Sequence, residues 1–341
     1  MNKVFITGSS GFIGNHLVRF LIEKGFLVFG IDKIKPKSSH RSYKFINCDI
    51  LNGEKLAETI LEIEPDIVIH LAARTDLDET EDINGYASNI QGVRNLAKAV
   101  FCCPTVKRCI YTSSQLVCRV GYIPNHDEDY QPNTLYGQSK VFTEKIVREL
   151  DGGRVEWCLV RPTTVWGPGM SDHYQKFIRM IEKGRYFHVG NRPLCKSYSY
   201  IGNIVHQYYC SINAPREQIH RQTFYLADYE PFTLRDWTNA LQRELGAKPI
   251  PTYPIFLVKL VARLGDALNL LGLKSFPFNS FRLNNVLTEY VFDLSKTEKV
   301  CGPLPYSFDE AVSETIQWIK EMPKVLQTSQ ENRKYRLNVR S

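Results

Sequence analysis

The sequence predicts an α/β protein, a doubly wound parallel sheet with a smaller C-terminal lobe. Three observations predict it. A short β-rich run, a glycine-rich turn, a helical stretch and a second short run follow one another within the first 32 residues. Further apolar runs, DIVIHLAA (66–73) and VKRCIYTSS (106–114), read as buried parallel strands with polar or small residues at their ends. The length of 341 residues exceeds one ordinary domain and suits one large α/β unit with an appended lobe.

The first strand is KVFIT (3–7). GSSGFIG (8–14) forms the turn, with Phe12 and Ile13 read as cofactor contacts beside its glycines, and NHLVRFLIEKG (15–25) follows with Leu17, Val18, Leu21 and Ile22 at helical spacing. The second strand, VFGID (28–32), ends in Asp32. Gly8, Gly11 and Gly14 let a pyrophosphate approach the backbone at a helix N-terminus, and a carboxylate ending the second strand accepts hydrogen bonds from both ribose hydroxyls of an adenosine. These positions predict a Rossmann-type dinucleotide site. Asp32 repels a 2′-phosphate and selects NAD over NADP, a preference that Lys33, Lys35 and Arg41 soften.

The third strand, KFINC, precedes Asp49 and Ile50. DIVIHLAA delivers Leu71, Ala72 and Ala73, small enough for a dinucleotide to pass close to the backbone. VKRCIYTSS carries Ser113 and Ser114 to the carboxyl edge of the sheet, where ligands of doubly wound sheets bind. In TLYGQSK (134–140), Tyr136 and Lys140 are one turn apart on one face of a helix over about 135–150.

Taken together, TGSSGFIG (7–14), CDI (48–50), HLAA (70–73), NIQGVRNL (89–96), YTSSQLV (111–117), YGQSK (136–140) and RPTTVWGPG (161–169) resemble an extended short-chain dehydrogenase/reductase, the family of UDP-galactose 4-epimerase and related nucleotide-sugar enzymes. YSYIGNIVHQ (198–207) also resembles the 3β-hydroxysteroid dehydrogenase branch, with Gly-Asn where sugar epimerases usually carry an Asp. The resemblance implies NAD contacts from Asp49, Ile50, Asn89, Pro162 and Thr163 beside the glycine loop. It also implies substrate contacts from Gln115, Thr164, Lys196 and Arg282. Thr164 stands where sugar epimerases usually have an Asn, and Lys196 replaces an Arg; Lys lacks the bidentate fork. Lys196 is read as either a substrate contact or a solvated surface charge.

Residues 1–165 are expected to form the NAD domain with the catalytic residues, and 166–325 mostly the substrate lobe. Segments near 195–210 and 223–228 return to the sheet, and 326–341 form a frayed basic tail. A homodimer through the helices near 89–101 and 135–150 is implied.

The chemistry expected of the set is acid–base. A phenol with a pKa near 10 is a poor base at neutral pH, so Lys140 and the nicotinamide charge are expected to lower Tyr136, while Ser114 shares the charge on the reacting oxygen. Gln115 and Leu116 follow Ser114 where water-eliminating relatives carry acids, and a glutamine amide is no general acid. That leaves an epimerase or ketoreductase acting on a nucleotide sugar. The alternatives are a dehydrogenase of a hydrophobic alcohol and a non-catalytic dinucleotide-binding sensor or scaffold.

Composition agrees with such a protein, with 43% hydrophobic and 23% charged residues. The net charge of +7 is too mild and dispersed for a nucleic-acid footprint. Nine cysteines without Cys-x-x-Cys or zinc-site spacing predict reduced thiols, no metal and a cytoplasmic setting. The apolar stretch 254–273 is broken by Lys259, Arg263 and Asp266, which argues against a membrane span. It predicts an amphipathic helix packed on the protein, contact with a membrane surface being the other reading.

Overall fold

The computed structural model describes residues 2–36, 40–270 and 280–322, apart from the side chains of 269, 270, 281 and 282. Its central sheet has seven strands. Six arise in order from the N-terminal half: β1 (Lys3–Thr7), β2 (Leu27–Asp32), β3 (Tyr43–Asn47), β4 (Ile67–His70), β5 (Arg108–Thr112) and β6 (Glu156–Pro162). The short β7 (Thr164–Trp166), β8 (His188–Val189), β9 (Cys195–Lys196) and β10 (Tyr198–Tyr200) lie outside it, and β11 (Gln222–Leu226) completes it. The spatial order is β11-β6-β5-β4-β1-β2-β3, and every pairing is parallel. The order reverses between β1 and β4, so the crevice beyond their carboxyl ends is the switch point where ligands of such sheets bind.

Side chains alternate between the two faces with a period of two, and each face buries its own core. Val4, Ile6, Val28, Ile69, Ile110 and Val160 pack toward α1 (Phe12–Glu23) and toward Ile204 and Val205. Phe5, Phe29, Val68, Cys109, Tyr111 and Leu159 pack toward α2 (Gly53–Ile63), α3 (Ala87–Cys102) and α4 (Leu135–Leu150). Thr134 caps α4, its hydroxyl accepting from the N–H of Gly137 at 3.0 Å. All nine cysteines are free.

The later chain adds α5 (Asp172–Glu182), α6 (Ile201–Asn213), which packs on α1, the short α7 (Arg216–Ile219) and α8 (Leu234–Leu245). Thr233, in β12 (Phe232–Thr233), forms a capping box with Asp236 at the start of α8. Trp166, Tyr198, Phe232 and Trp237 make an aromatic core here, with Tyr198 stacked on Phe232 at 4.8 Å. After β13 (Thr252–Tyr253) come α9 (Ile255–Leu270), α10 (Ser280–Val286), α11 (Ser295–Cys301) and α12 (Phe308–Glu321).

α9 departs from the expectation of an apolar face packed on the protein. Among its described side chains Val258, Ala262 and Gly265 are the buried ones, against Leu283 and Leu287 of the α10 segment and Phe187 and Val189. Phe256, Leu257, Leu260, Val261 and Leu264 face outward. The stripe that fits its neighbour is the small-residue one, so the larger side chains are left outside. The tail 326–341 and the Arg282 side chain lie outside the described residues.

Candidate active site

Backbone geometry explains the glycines at the switch point. Gly8 has φ +72°, and a Cβ there would lie 2.6 Å from the backbone N of Ala72. A Cβ on Gly14 would lie 2.2 Å from the Gly8 carbonyl oxygen. Gly11, whose Cβ would have 3.2 Å to the same oxygen, precedes α1, which starts with no capping side chain and no acid in its first turn. Phe12, Ile13 and Gly14 form that first turn, an electropositive helix end that fits an anionic diphosphate.

Asp32 organises the same loop. Its carboxylate accepts the N–H of Ser10 at 3.1 Å and of Ile34 at 3.0 Å, with further lone pairs to offer. Lys33 lies 3.7 Å from Asp49, whose carboxylate also accepts the N–H of Leu51. The Ile50 side chain is buried in contact range of Gly92 on α3. Thr7 Oγ1 accepts the N–H groups of Leu71 and Ala72, each at 3.2 Å, and lies 2.7 Å from Nδ1 of His70. With both lone pairs engaged, the Thr7 hydroxyl donates to Nδ1, which leaves the His70 proton on a buried Nε2 without a partner. Burial holds His70 down to about 3, so its ring is neutral. Leu71, Ala72 and Ala73 leave β4 half-buried along the crevice.

Asn89 is fully buried and its amide is fully engaged. Oδ1 accepts from Arg74 N at 2.8 Å, and Nδ2 donates to Arg74 O and to Ser139 Oγ, each at 2.9 Å. Where a direct cofactor contact was expected, the residue joins the loop after β4 to α4.

Ser114, Tyr136 and Lys140 come together at the carboxyl edge of β5. Ser114 Oγ accepts from Leu116 N at 3.1 Å and hydrogen-bonds Tyr136. Lys140 Nζ donates to Thr112 O at 3.0 Å, two residues before Ser114. Tyr86 packs beside Tyr136 with ring centroids 6.0 Å apart. Burial pushes Tyr136 up to about 12, against the pull of the Ser114 hydrogen bond, and burial pushes Lys140 down to about 8. Desolvation is the leading cause for Tyr136, and the Lys140 ammonium is turned to the Thr112 carbonyl; the expected lowering counts the nicotinamide charge as well and belongs to the NAD-bound site.

Beneath the set lies an ionic cluster that the motifs did not flag. Glu144, one turn past Lys140, is fully buried. Its carboxylate accepts from Ser113 Oγ at 2.6 Å, Tyr130 Oη at 3.0 Å, and Arg161 Nε and Nη2 at 2.8 and 2.7 Å. Arg161 also donates to the Tyr225 hydroxyl on β11 at 2.9 Å. The i+4 spacing from Lys140 was the available signal for Glu144; its partner Arg161 opens RPTTVWGPG, a stretch that was read only for the resemblance it carries.

On the substrate side, Gln115 Nε2 reaches Thr164 Oγ1 at 3.5 Å, and Tyr174 hydrogen-bonds Thr164. The buried Oε1 of Gln115 has no partner. Pro162 ends β6, and Thr163 Oγ1 lies 2.6 Å from Ser199 Oγ. Lys196 was read as a substrate contact or a solvated charge. It is half-buried, donates to the Asn285 carbonyl, and is pushed down to about 8 by burial. Tyr290 Oη donates to the carbonyls of Gln115 and Cys118, each at 3.2 Å, and closes the loop after Ser114. Among the described residues no group of acids, His or Cys forms a metal site.

Comparison with known proteins agrees with this geometry. The chain is 29% identical over 264 residues to a 3-beta-hydroxysteroid dehydrogenase of Mycolicibacterium neoaurum, covering 73% of this chain and 71% of that one. It is 24% identical to an N-acetyl-alpha-D-glucosaminyl-diphospho-ditrans,octacis-undecaprenol 4-epimerase of Escherichia coli O157:H7, covering 93% and 95%. The UDP-glucose 4-epimerase of Thermotoga maritima shares the fold, with a TM-score of 0.73 at 20% identity over 94% of this chain and 99% of that one. The model of the NAD dependent epimerase/dehydratase family matches residues 4–227, more than half of the chain, and the protein belongs to that family.

Proposed function

We propose that the protein carries out NAD-dependent oxidoreduction at a hydroxyl or keto carbon of a nucleotide-activated sugar, as an epimerase or ketoreductase with Tyr136 as the acid and base. The observation that carries the reading is the buried Ser114–Tyr136–Lys140 set beside the glycine loop and Asp32. Residues 1–165 would hold the cofactor and 166–325 most of the substrate. The ion pair of Lys33 with Asp49 favours NAD over NADP, since it draws a cation away from a 2′-phosphate.

NAD, when bound, supplies the hydride acceptor and donor. Ser114 orients the reacting oxygen. In the reductive direction Tyr136, protonated at neutral pH, gives its phenolic proton to that oxygen; in the oxidative direction its Oη takes the hydroxyl proton back. Lys140 adds a positive charge one turn away, which favours the phenolate once it forms. Asn89 and Glu144 hold the two flanks of α4 in place.

A second reading, a hydrophobic alcohol as substrate, has an observation of its own. Lys196 and Thr164 are engaged internally, and the surroundings of Thr164 are aromatic. A thermal-shift panel with NAD present separates the readings. UDP- or GDP-sugars should raise Tm and sterol-like alcohols should not; the opposite pattern would favour the alcohol.

We also propose a cytoplasmic homodimer through the outer face of α3 and α4, where Phe101, Phe142 and Leu150 are exposed.

A further inference from the structure

α9 presents an apolar face that none of the other described residues covers. Phe256, Leu260 and Leu264 are 64%, 59% and 58% exposed, and Leu257, Val261 and the preceding Tyr253 join them. At about 100° per residue these side chains occupy one arc roughly 140° wide, opposite the Val258–Ala262–Gly265 stripe that packs on the protein. Exposed apolar residues scattered singly need no explanation, but a continuous helical face does.

Charge identifies the occupant. Lys259 and Arg263 are exposed and lie together along one edge of the apolar arc. The single acid within the helix sequence, Asp266, lies along the same edge, about 20° from Lys259, and its carboxylate accepts the N–H of Ser280 at 3.1 Å. An antiparallel second copy of the same face would set Lys259 and Arg263 against their own counterparts, and the one acid along that edge, Asp266, is already tied to Ser280. An anionic lipid surface satisfies both halves. The apolar arc enters the acyl boundary, and the two cations reach sideways to headgroup phosphates with their aliphatic stems buried. Among the described residues no helix is long and apolar enough to cross a membrane, so the helix would lie along the surface.

We propose that α9 docks the protein on anionic phospholipid membranes. The helix is also connected to the substrate side. It packs on α10, whose Asn285 carbonyl accepts from Lys196, and the chain beyond α10 brings Tyr290 to the Gln115 carbonyl. Docking would therefore bring that side of the molecule toward the lipid, and it holds whether the substrate is a sugar or an alcohol.

The test is co-sedimentation of the purified full chain with vesicles of phosphatidylcholine alone or with added phosphatidylglycerol, at low and high salt. The expected result is binding to the anionic vesicles that weakens with salt. Leu260→Glu/Leu264→Glu should reduce it by at least about tenfold, and Lys259→Ala/Arg263→Ala by roughly thirtyfold at low salt. Both variants should keep the wild-type melting temperature and its rise with NAD, which shows that the fold and cofactor site are intact. The proposal is overturned if the wild type stays in the supernatant with every vesicle, or if the Leu260/Leu264 variant sediments like the wild type. It is equally overturned if the protein without lipid forms a larger assembly that the same variant dissociates, since a second copy then covers the face.

Discussion

Glu144→Gln keeps the shape of a fully buried side chain and removes its charge. The carboxylate now accepts four hydrogen bonds, two from Arg161, one from Ser113 and one from Tyr130. An amide offers one acceptor oxygen and turns two N–H donors toward groups that are themselves donors. The buried Arg161 guanidinium is left without its anion. Breaking such a pair costs about 3–5 kcal/mol. At about 2.1 cal/mol/K per residue, the 341 residues give an unfolding entropy of roughly 0.7 kcal/mol/K, so Tm should fall by about 4–7 °C. Arg161→Met should be similarly harmful, and the double variant Glu144→Gln/Arg161→Met should lose clearly less than the sum. Differential scanning calorimetry with NAD absent reads all four proteins. A Tm for Glu144→Gln within about 1 °C of wild type, or additive losses in the double variant, would refute the claim that the pair is coupled and desolvated.

Tyr136→Phe should lower turnover by at least about a hundredfold while NAD affinity by calorimetry changes less than about threefold, because the lost oxygen serves proton transfer. His70 supplies a pH test. Its pKa of about 3 lies below the ordinary 6.5, so the penalty is absent above 6.5 and grows as the unfolded chain gains a proton that the folded ring refuses. Urea unfolding should therefore show the wild type losing about 2 kcal/mol more than His70→Gln between pH 7.5 and 5; equal losses would sink the assignment. Gly14→Ala puts a methyl 2.2 Å from the Gly8 carbonyl, so NAD binding should weaken by more than about tenfold, whereas Gly11→Ala, at 3.2 Å, should be milder. Phe142→Glu should convert a dimer to a monomer in sedimentation velocity, and an unchanged coefficient would remove α4 from the interface.

What was legible in the sequence was local. Strand, glycine turn, helix and Asp32 lie within one short segment, and Tyr136 and Lys140 share a helix face, so spacing alone placed them. What was not legible depends on distant parts of the chain. The carboxylate of Glu144 and the guanidinium of Arg161 meet only because α4 packs under β6, and Lys196 is engaged internally only because Asn285 arrives from α10. The upward push of burial on Tyr136 was not legible for a related reason. Spacing gives the neighbouring cation, whereas desolvation depends on Tyr86 and the other groups that close over the phenol. The apolar pattern of 254–273 predicted a helix, and residues 255–270 form one, but pattern cannot say which stripe meets a neighbour.

β11 comes late in the chain and lies at the edge of the sheet, next to β6. Until the ribosome has released residues 222–226, β6 presents an open strand edge, and Arg161 lacks the Tyr225 hydroxyl. The nascent N-terminal half would thus wait, sticky and incomplete, for some sixty more residues, about 3–12 s at ordinary rates of synthesis. During that interval the chain is open to capture by chaperones and to pairing with its neighbours on the same message. A fragment cut near residue 165 would remain in that state permanently.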